Sequence, residues 1–213
     1  MLRIFSRPAL LLLVLALCTL IPVMMALVRV IQIPTGTYEA DSLRLAVAPL
    51  PWFLHALAAG IFGLAGPLNL VLALRRRFGR LHRMAGWAFV CAGTILALSG
   101  LLLLAMVEMQ STPLIDIVRG IFSAALLLAL ASAILAIRVG DIHAHRAWAV
   151  RAYAIGMGAG TISMLYLPIY IVTGTLPNGL TSDVIYAAWW VLNIGFAEWV
   201  IHRITPAIRR VPA

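Results

Sequence analysis

Lysine is absent from this chain and acid is scarce. Charged residues make up 11% of the sequence, all 16 basic positions are arginine, and only 7 positions are Asp or Glu. A soluble domain of similar length carries about 25% charged residues, so an ordinary water-facing surface is excluded. Cysteine is nearly missing too. Cys18 and Cys91 both fall near the middle of apolar runs, which argues against a disulfide framework and reads as small packing residues. Neither a phosphate-binding loop, a dinucleotide fingerprint, a Ser-His-Asp set, a redox CxxC nor a helical HExxH occurs in the sequence. No reaction class follows from motifs.

What the chain has in abundance is apolar length. It is 63% hydrophobic, with a mean hydropathy of +1.04 over 213 residues. Crossing the hydrocarbon takes about 20 apolar residues per helix. Spans are expected at about 8–31, 50–74, 81–107, 114–137, 147–172 and 184–204. They leave no room for a separate soluble unit, so the expected fold is all-α: one polytopic six-helix transmembrane bundle covering residues 1–213. The first run, preceded by Arg3 and Arg7, has the look of a secretory signal. It is longer than the usual apolar core of one, no clean A-x-A site follows, and the leucine before Cys18 is wrong for a lipobox. It reads as a transmembrane helix.

A net charge of +9 and a pI near 11 would suggest nucleic acid in a soluble protein. Here the charge has a simpler origin, the excess of arginine in loops on the cytoplasmic side. Arg3, Arg7, Arg75, Arg76, Arg77, Arg80, Arg83, Arg138, Arg146, Arg151, Arg203, Arg209 and Arg210 share one side of the expected topology, leaving Arg29, Arg44 and Arg119 on the other. Glu39, Asp41, Glu108, Asp116 and Asp183 lie opposite the arginine-rich face. The expected location is a bacterial inner membrane with both termini cytoplasmic, the lipid bilayer as partner and no nucleic acid. Residues 32–49 form the longest outer loop and are expected to fold over the outer mouth. Trp52, Trp189 and Trp190, with Trp148 and Trp199 on the inner side, fit interfacial aromatic belts, and Pro168 is expected to bend the fifth helix near its outer end.

The histidines are the candidate chemistry. Residues three, four, seven and eleven apart share a helix face. From His82 that face carries Gly86, Gly93 and Ala97; from His145, Ala149, Ala152 and Gly156; from His55, Ala59, Phe62 and Gly66. Each histidine thus lies on a small-residue stripe and faces other helices rather than lipid. Tight helix packing is the plain explanation. The sharper one is a slot for haem b, with His82 and His145 as axial ligands at the cytoplasmic edge and Arg80, Arg83, Arg146 and Arg151 neutralising propionates. His55 sits near the opposite face, and a buried histidine bonded to a neighbouring carbonyl explains it most simply. The run Asp141-Ile142-His143-Ala144-His145 suggests a metal set, against which Asp141 reads as a turn and capping residue. Glu198 lies four residues before His202, close enough to pair along one helix, or to serve as a local charge cap.

Two segments carry a family resemblance. The run from Phe53 through His55 to Pro67, followed by Gly79-Arg80-Leu81-His82-Arg83-Met84-Ala85-Gly86, is one. The other runs from Arg138 through His145-Arg146-Ala147-Trp148 to Arg151. Together they resemble the bacterial membrane proteins catalogued as domain of unknown function 2306, from about Trp52 to the sixth helix. Matched residue by residue, His55, His82, Arg83, Gly86, His145, Arg146, Trp148 and Arg151 take the motif positions. The resemblance implies an architecture more than an activity. The intramembrane histidines also look like those of two-haem membrane cytochromes of the b type, although this chain offers one histidine pair rather than two. Two functions are therefore expected as alternatives. One is a haem-bearing electron carrier working with a quinone or another redox partner. The other is a non-redox small transporter, or a lipid- or anion-binding protein, using the cytoplasmic-side His/Arg cluster.

Overall fold

The computed structural model describes residues 8–38, 40–70, 77–107 and 112–208, with side chains described for 18–38, 43–70, 77–107 and 112–202. Of the charges counted above, Arg3, Arg7, Glu39, Arg75, Arg76, Glu108, Arg209 and Arg210 lie outside the described residues, as do the side chains of Asp41 and Arg203. Seven helices are described: α1 (Pro8–Thr35), α2 (Pro49–Leu70), α3 (Gly79–Met106), α4 (Pro113–Arg138), α5 (Ile142–Thr161), α6 (Ser163–Thr173) and α7 (Gly179–Ile208). A 3-10 segment, Ala40–Ala46, lies between α1 and α2. With α5 and α6 taken together, six helical stretches are long and apolar enough to cross a membrane. No strand occurs among the described residues. The helix is the natural state for such runs, because hydrocarbon offers no partner to an unsatisfied backbone group.

Local sequence sets the ends. Pro113 opens α4 directly after Thr112, using the one helical position where its missing N–H costs nothing. That helix stops at Gly140, whose φ of +79° suits glycine. There the N–H of Asp141 reaches Ala136 O at 2.9 Å and that of Gly140 reaches Ile137 O at 3.2 Å, a paired closure of the last turn. Asp141 then caps α5, accepting from the Ala144 N–H at 2.9 Å. The capping explanation of Asp141 therefore holds.

The fifth span differs from expectation. Its break falls at Ile162, between α5 and α6, and Pro168 lies inside α6. The cause is local. Gly156, Gly158 and Gly160 weaken the helix just before the break. The hydroxyls of Thr161 and Ser163 then compete for the carbonyls of Met157 and Gly160, at 3.0 and 2.7 Å.

Consecutive spans run antiparallel, α5 and α6 together forming one. Trp52 at the start of α2 packs beside Leu103 and Val107 at the end of α3. His145 at the start of α5 bonds to Ala133 late in α4. The alanine- and glycine-rich α5 lies centrally, against α1, α2, α4 and α7, because small residues let several backbones approach it. At the centre of the core is Phe62, fully buried. It stacks on Phe89 at 4.4 Å between centroids and on Tyr153 at 5.9 Å. The exterior is apolar: Leu64, Trp87, Leu128, Ile171, Val172 and Phe196 are all exposed. Trp190 is buried and donates to Ile155 O at 2.9 Å, while Trp189 donates to Thr161 Oγ1 at 3.0 Å. Both tie α7 to α5 rather than forming the aromatic belt expected of them. Cys91 faces outward, not into packing.

Candidate functional site

His82 and His145 begin α3 and α5, at the same end of the bundle. Their helices are not principal neighbours, however. α3 packs chiefly on α2 and α4, and α5 on α4 and α7. His145 Nδ1 lies 2.8 Å from Ala133 O, so it is the protonated nitrogen and donates to that carbonyl. Such a bond orients a metal-bound imidazole as readily as it anchors a structural one.

The glycine stripes have occupants. A Cβ added at Gly93 would lie 2.8 Å from the Phe62 ring, and one at Gly156 would lie 2.5 Å from the same ring. The flat object held between the α3 and α5 stripes is thus a phenyl ring of the protein. At Gly86 the neighbour is the Asn69 side chain, 3.6 Å from an added Cβ. Gly66 seats Tyr153 and Gly158 seats Trp190 in the same way.

The arginines at this end divide. Arg151 makes a two-pronged ion pair with Glu198, Nε to Oε1 at 2.5 Å and Nη2 to Oε2 at 2.9 Å, and lies 4.7 Å over the Trp148 ring. Glu198 therefore binds across to α5 instead of along α7 to His202. Arg146 is half-buried and Arg83 exposed. His143 and His202 are exposed as well. Among the described residues no three His, Cys, Asp or Glu side chains are grouped to hold a metal.

The opposite end holds a cavity of about 250 Å³. Four elements supply its polar lining: Arg44 from the 3-10 segment, His55 from α2, Arg119 and Ser123 from α4, and Tyr186 from α7. Trp52, Phe122 and Trp190 form aromatic walls, with Phe122 and Trp190 stacked at 4.8 Å. The Arg44 guanidinium lies 5.7 Å over the Trp52 ring. The described end of the loop ahead of α2 reaches this cavity, since Arg44 lines it and Leu45 and Ala48 are each only 2% exposed.

Charge is unevenly answered here. Arg119 Nη1 and Trp52 Nε1 are buried donors without a hydrogen-bond partner. Asp116 Oδ1, itself a buried acceptor without a hydrogen-bond partner, lies 3.8 Å from that Nη1, an attraction but not a hydrogen bond. The other nearby acid, Asp183, is 1% exposed and accepts from the backbone N–H and hydroxyl of Thr112, at 3.0 and 2.5 Å. Asp183 thereby joins the starts of α4 and α7, whose next two to three turns carry Arg119, Ser123, Tyr186 and Trp190 into the cavity. His55 is held through Nδ1, 3.1 Å from Ser99 Oγ, a hydroxyl on the next helix rather than the expected carbonyl.

Of the candidate site residues His55, His82, Arg83, Gly86, His145, Arg146 and Arg151, only His55 lines this cavity. Arg44, Arg119 and Tyr186 were missed, yet a signal existed. Arg44 and Arg119 are two of the three exceptions to the one-sided arginine distribution. Arg119 also lies seven residues into its span, about 10 Å at 1.5 Å per residue, where an ionisable group is a functional candidate by default.

Fold and surface together define a polytopic α-helical membrane protein with a small polar cavity at one end. The chain belongs to the family described as "Predicted membrane protein (DUF2306)", which matches residues 52–201. No curated protein and no solved structure matches it.

Proposed function

We propose that this protein binds a small anion in the cavity lined by Arg44, His55, Arg119 and Tyr186, as a lipid- or anion-binding protein or small transporter. The observation that carries the reading is the convergence of two guanidiniums on one cavity, with the buried Arg119 Nη1 and Trp52 Nε1 lacking acceptors. Buried donors without partners are costly, and a ligand bearing anionic oxygens would answer the charge of the two guanidiniums. Pockets for drug-sized ligands run to about 300–1,000 Å³, so about 250 Å³ suits a headgroup or small acid. In this reading the arginine-rich face and both termini are cytoplasmic in a bacterial inner membrane, and the cavity faces outward.

The test is calorimetric titration of detergent-purified protein with small carboxylates and phosphodiesters. Wild type is expected to bind, and R119Q to bind at least about tenfold more weakly, the loss of one charge-assisted hydrogen bond. No binding by wild type, or unchanged binding by R119Q, ends the reading.

The haem and quinone alternative finds less support. A macrocycle in the His82/His145 stripe would compete with Phe62 for the space between Gly93 and Gly156. An absorption spectrum of protein from haem-supplied cells is expected to show no Soret band. A band lost in both H82A and H145A would restore the electron-transfer reading.

A further inference from the structure

We infer that the ligand of this cavity is an anion that also carries an O–H or N–H donor, which the Nε2 lone pair of His55 accepts. The inference rests on the anion-binding reading above and adds the ligand's second functional group.

The protonation of His55 follows from its neighbour. Ser99 Oγ lies 2.6 Å from Ile95 O and 3.1 Å from Leu96 O. Its single hydrogen goes to those carbonyls, and a helical serine commonly bonds back in this way. Toward His55 the hydroxyl oxygen therefore only accepts. Nδ1, 3.1 Å away, must be the nitrogen that carries hydrogen and donates. In the neutral ring Nε2 is then left as an acceptor. The ring lines the cavity, so this lone pair is presented to whatever enters.

Most of the other polar groups there donate: the two guanidiniums and the Trp52 N–H, with the Tyr186 and Ser123 hydroxyls able to do either. An anion without a donor satisfies the arginines but sets an electron-rich oxygen against Nε2. An anion with an adjacent hydroxyl satisfies both sides. Hydroxy acids and glycerol-type phosphodiester headgroups share that chemistry, one free in water and the other borne by a lipid.

Two matched pairs test this, titrated into the purified full-length protein: lactate against propionate, and short-chain phosphatidylglycerol against phosphatidylmethanol. Within each pair only one member carries a hydroxyl, and the pair that binds identifies the source. The hydroxylated member is expected to bind about tenfold more tightly or better, since a site built around a hydroxyl rejects the analogue lacking it. H55F should reduce that preference below about twofold, and S99A, which keeps the ring but frees its tautomer, should also lower it. R119Q should instead weaken both members and leave their ratio intact. Equal binding within the pair by wild type, or a preference surviving H55F, overturns the inference while the anion site stands. No binding by any of the four overturns the anion site and this inference with it.

Discussion

Arg119 and Arg151 show how one side-chain type takes opposite roles by its surroundings. Arg151 has both prongs on Glu198 and its flat face on Trp148, so its side chain is satisfied within the protein. Arg119 has a buried nitrogen with nothing better than an oxygen 3.8 Å off. Removing the first should cost stability, and removing the second should cost binding. A double-mutant cycle with R151M and E198Q is expected to give a coupling of about 1 kcal/mol in thermal unfolding. Side chains 27% and 34% exposed place the pair between exposed and fully buried limits. A coupling near zero would mean that solvent, not the partner, satisfies each charge. R119Q, by contrast, should leave the melting temperature unchanged or slightly raised, because it removes a partly buried charge that no hydrogen bond at Nη1 offsets.

Helix contacts are set by glycines in different roles. At Gly158 an added Cβ would stand 1.9 Å from Trp190, whose indole is pinned to Ile155 O. G158A should therefore destabilise the α5–α7 contact by about 1–3 kcal/mol, the usual cost of overpacking. Gly195 lies in α7 with nothing within 4 Å of an added Cβ. G195A should leave stability unchanged or raise it by up to about 1 kcal/mol through helix propensity. Melting curves of the two variants in one detergent make the comparison, and equal destabilisation would refute this assignment of the α5–α7 contact. The same logic explains why small-residue stripes mislead. Spacing shows that a face is narrow, but the occupant of the notch comes from another helix.

For the bundle as assembled, six crossings bring the start of α2 and the end of α3 to one end, with Arg44 and Arg119 there, while Arg83, Arg138 and Arg146 lie at the other. Impermeant maleimide on intact cells tests this sidedness in a C18A/C91A background. N178C should react from outside, and V139C only after the membrane is opened. The reverse result would turn the bundle over and carry the cavity to the cytoplasmic side.

The number and order of the membrane-crossing stretches, though not the break at Ile162, were legible in the chain because hydrocarbon imposes one rule on every run: satisfy the backbone internally over about 20 apolar residues. Helix ends such as Gly140-Asp141 were legible for an equally local reason. His55 stood out as an ionisable residue within a span. Its partner did not, since Ser99 lies 44 residues away and nothing in one helix names its neighbour. The meeting of Arg44, Arg119, His55 and Tyr186, and the seating of Phe62 between two glycines, depend on which helices pack together. In lipid that choice is made by close van der Waals fit and a few interhelical polar contacts, quantities that exist only once the helices are assembled.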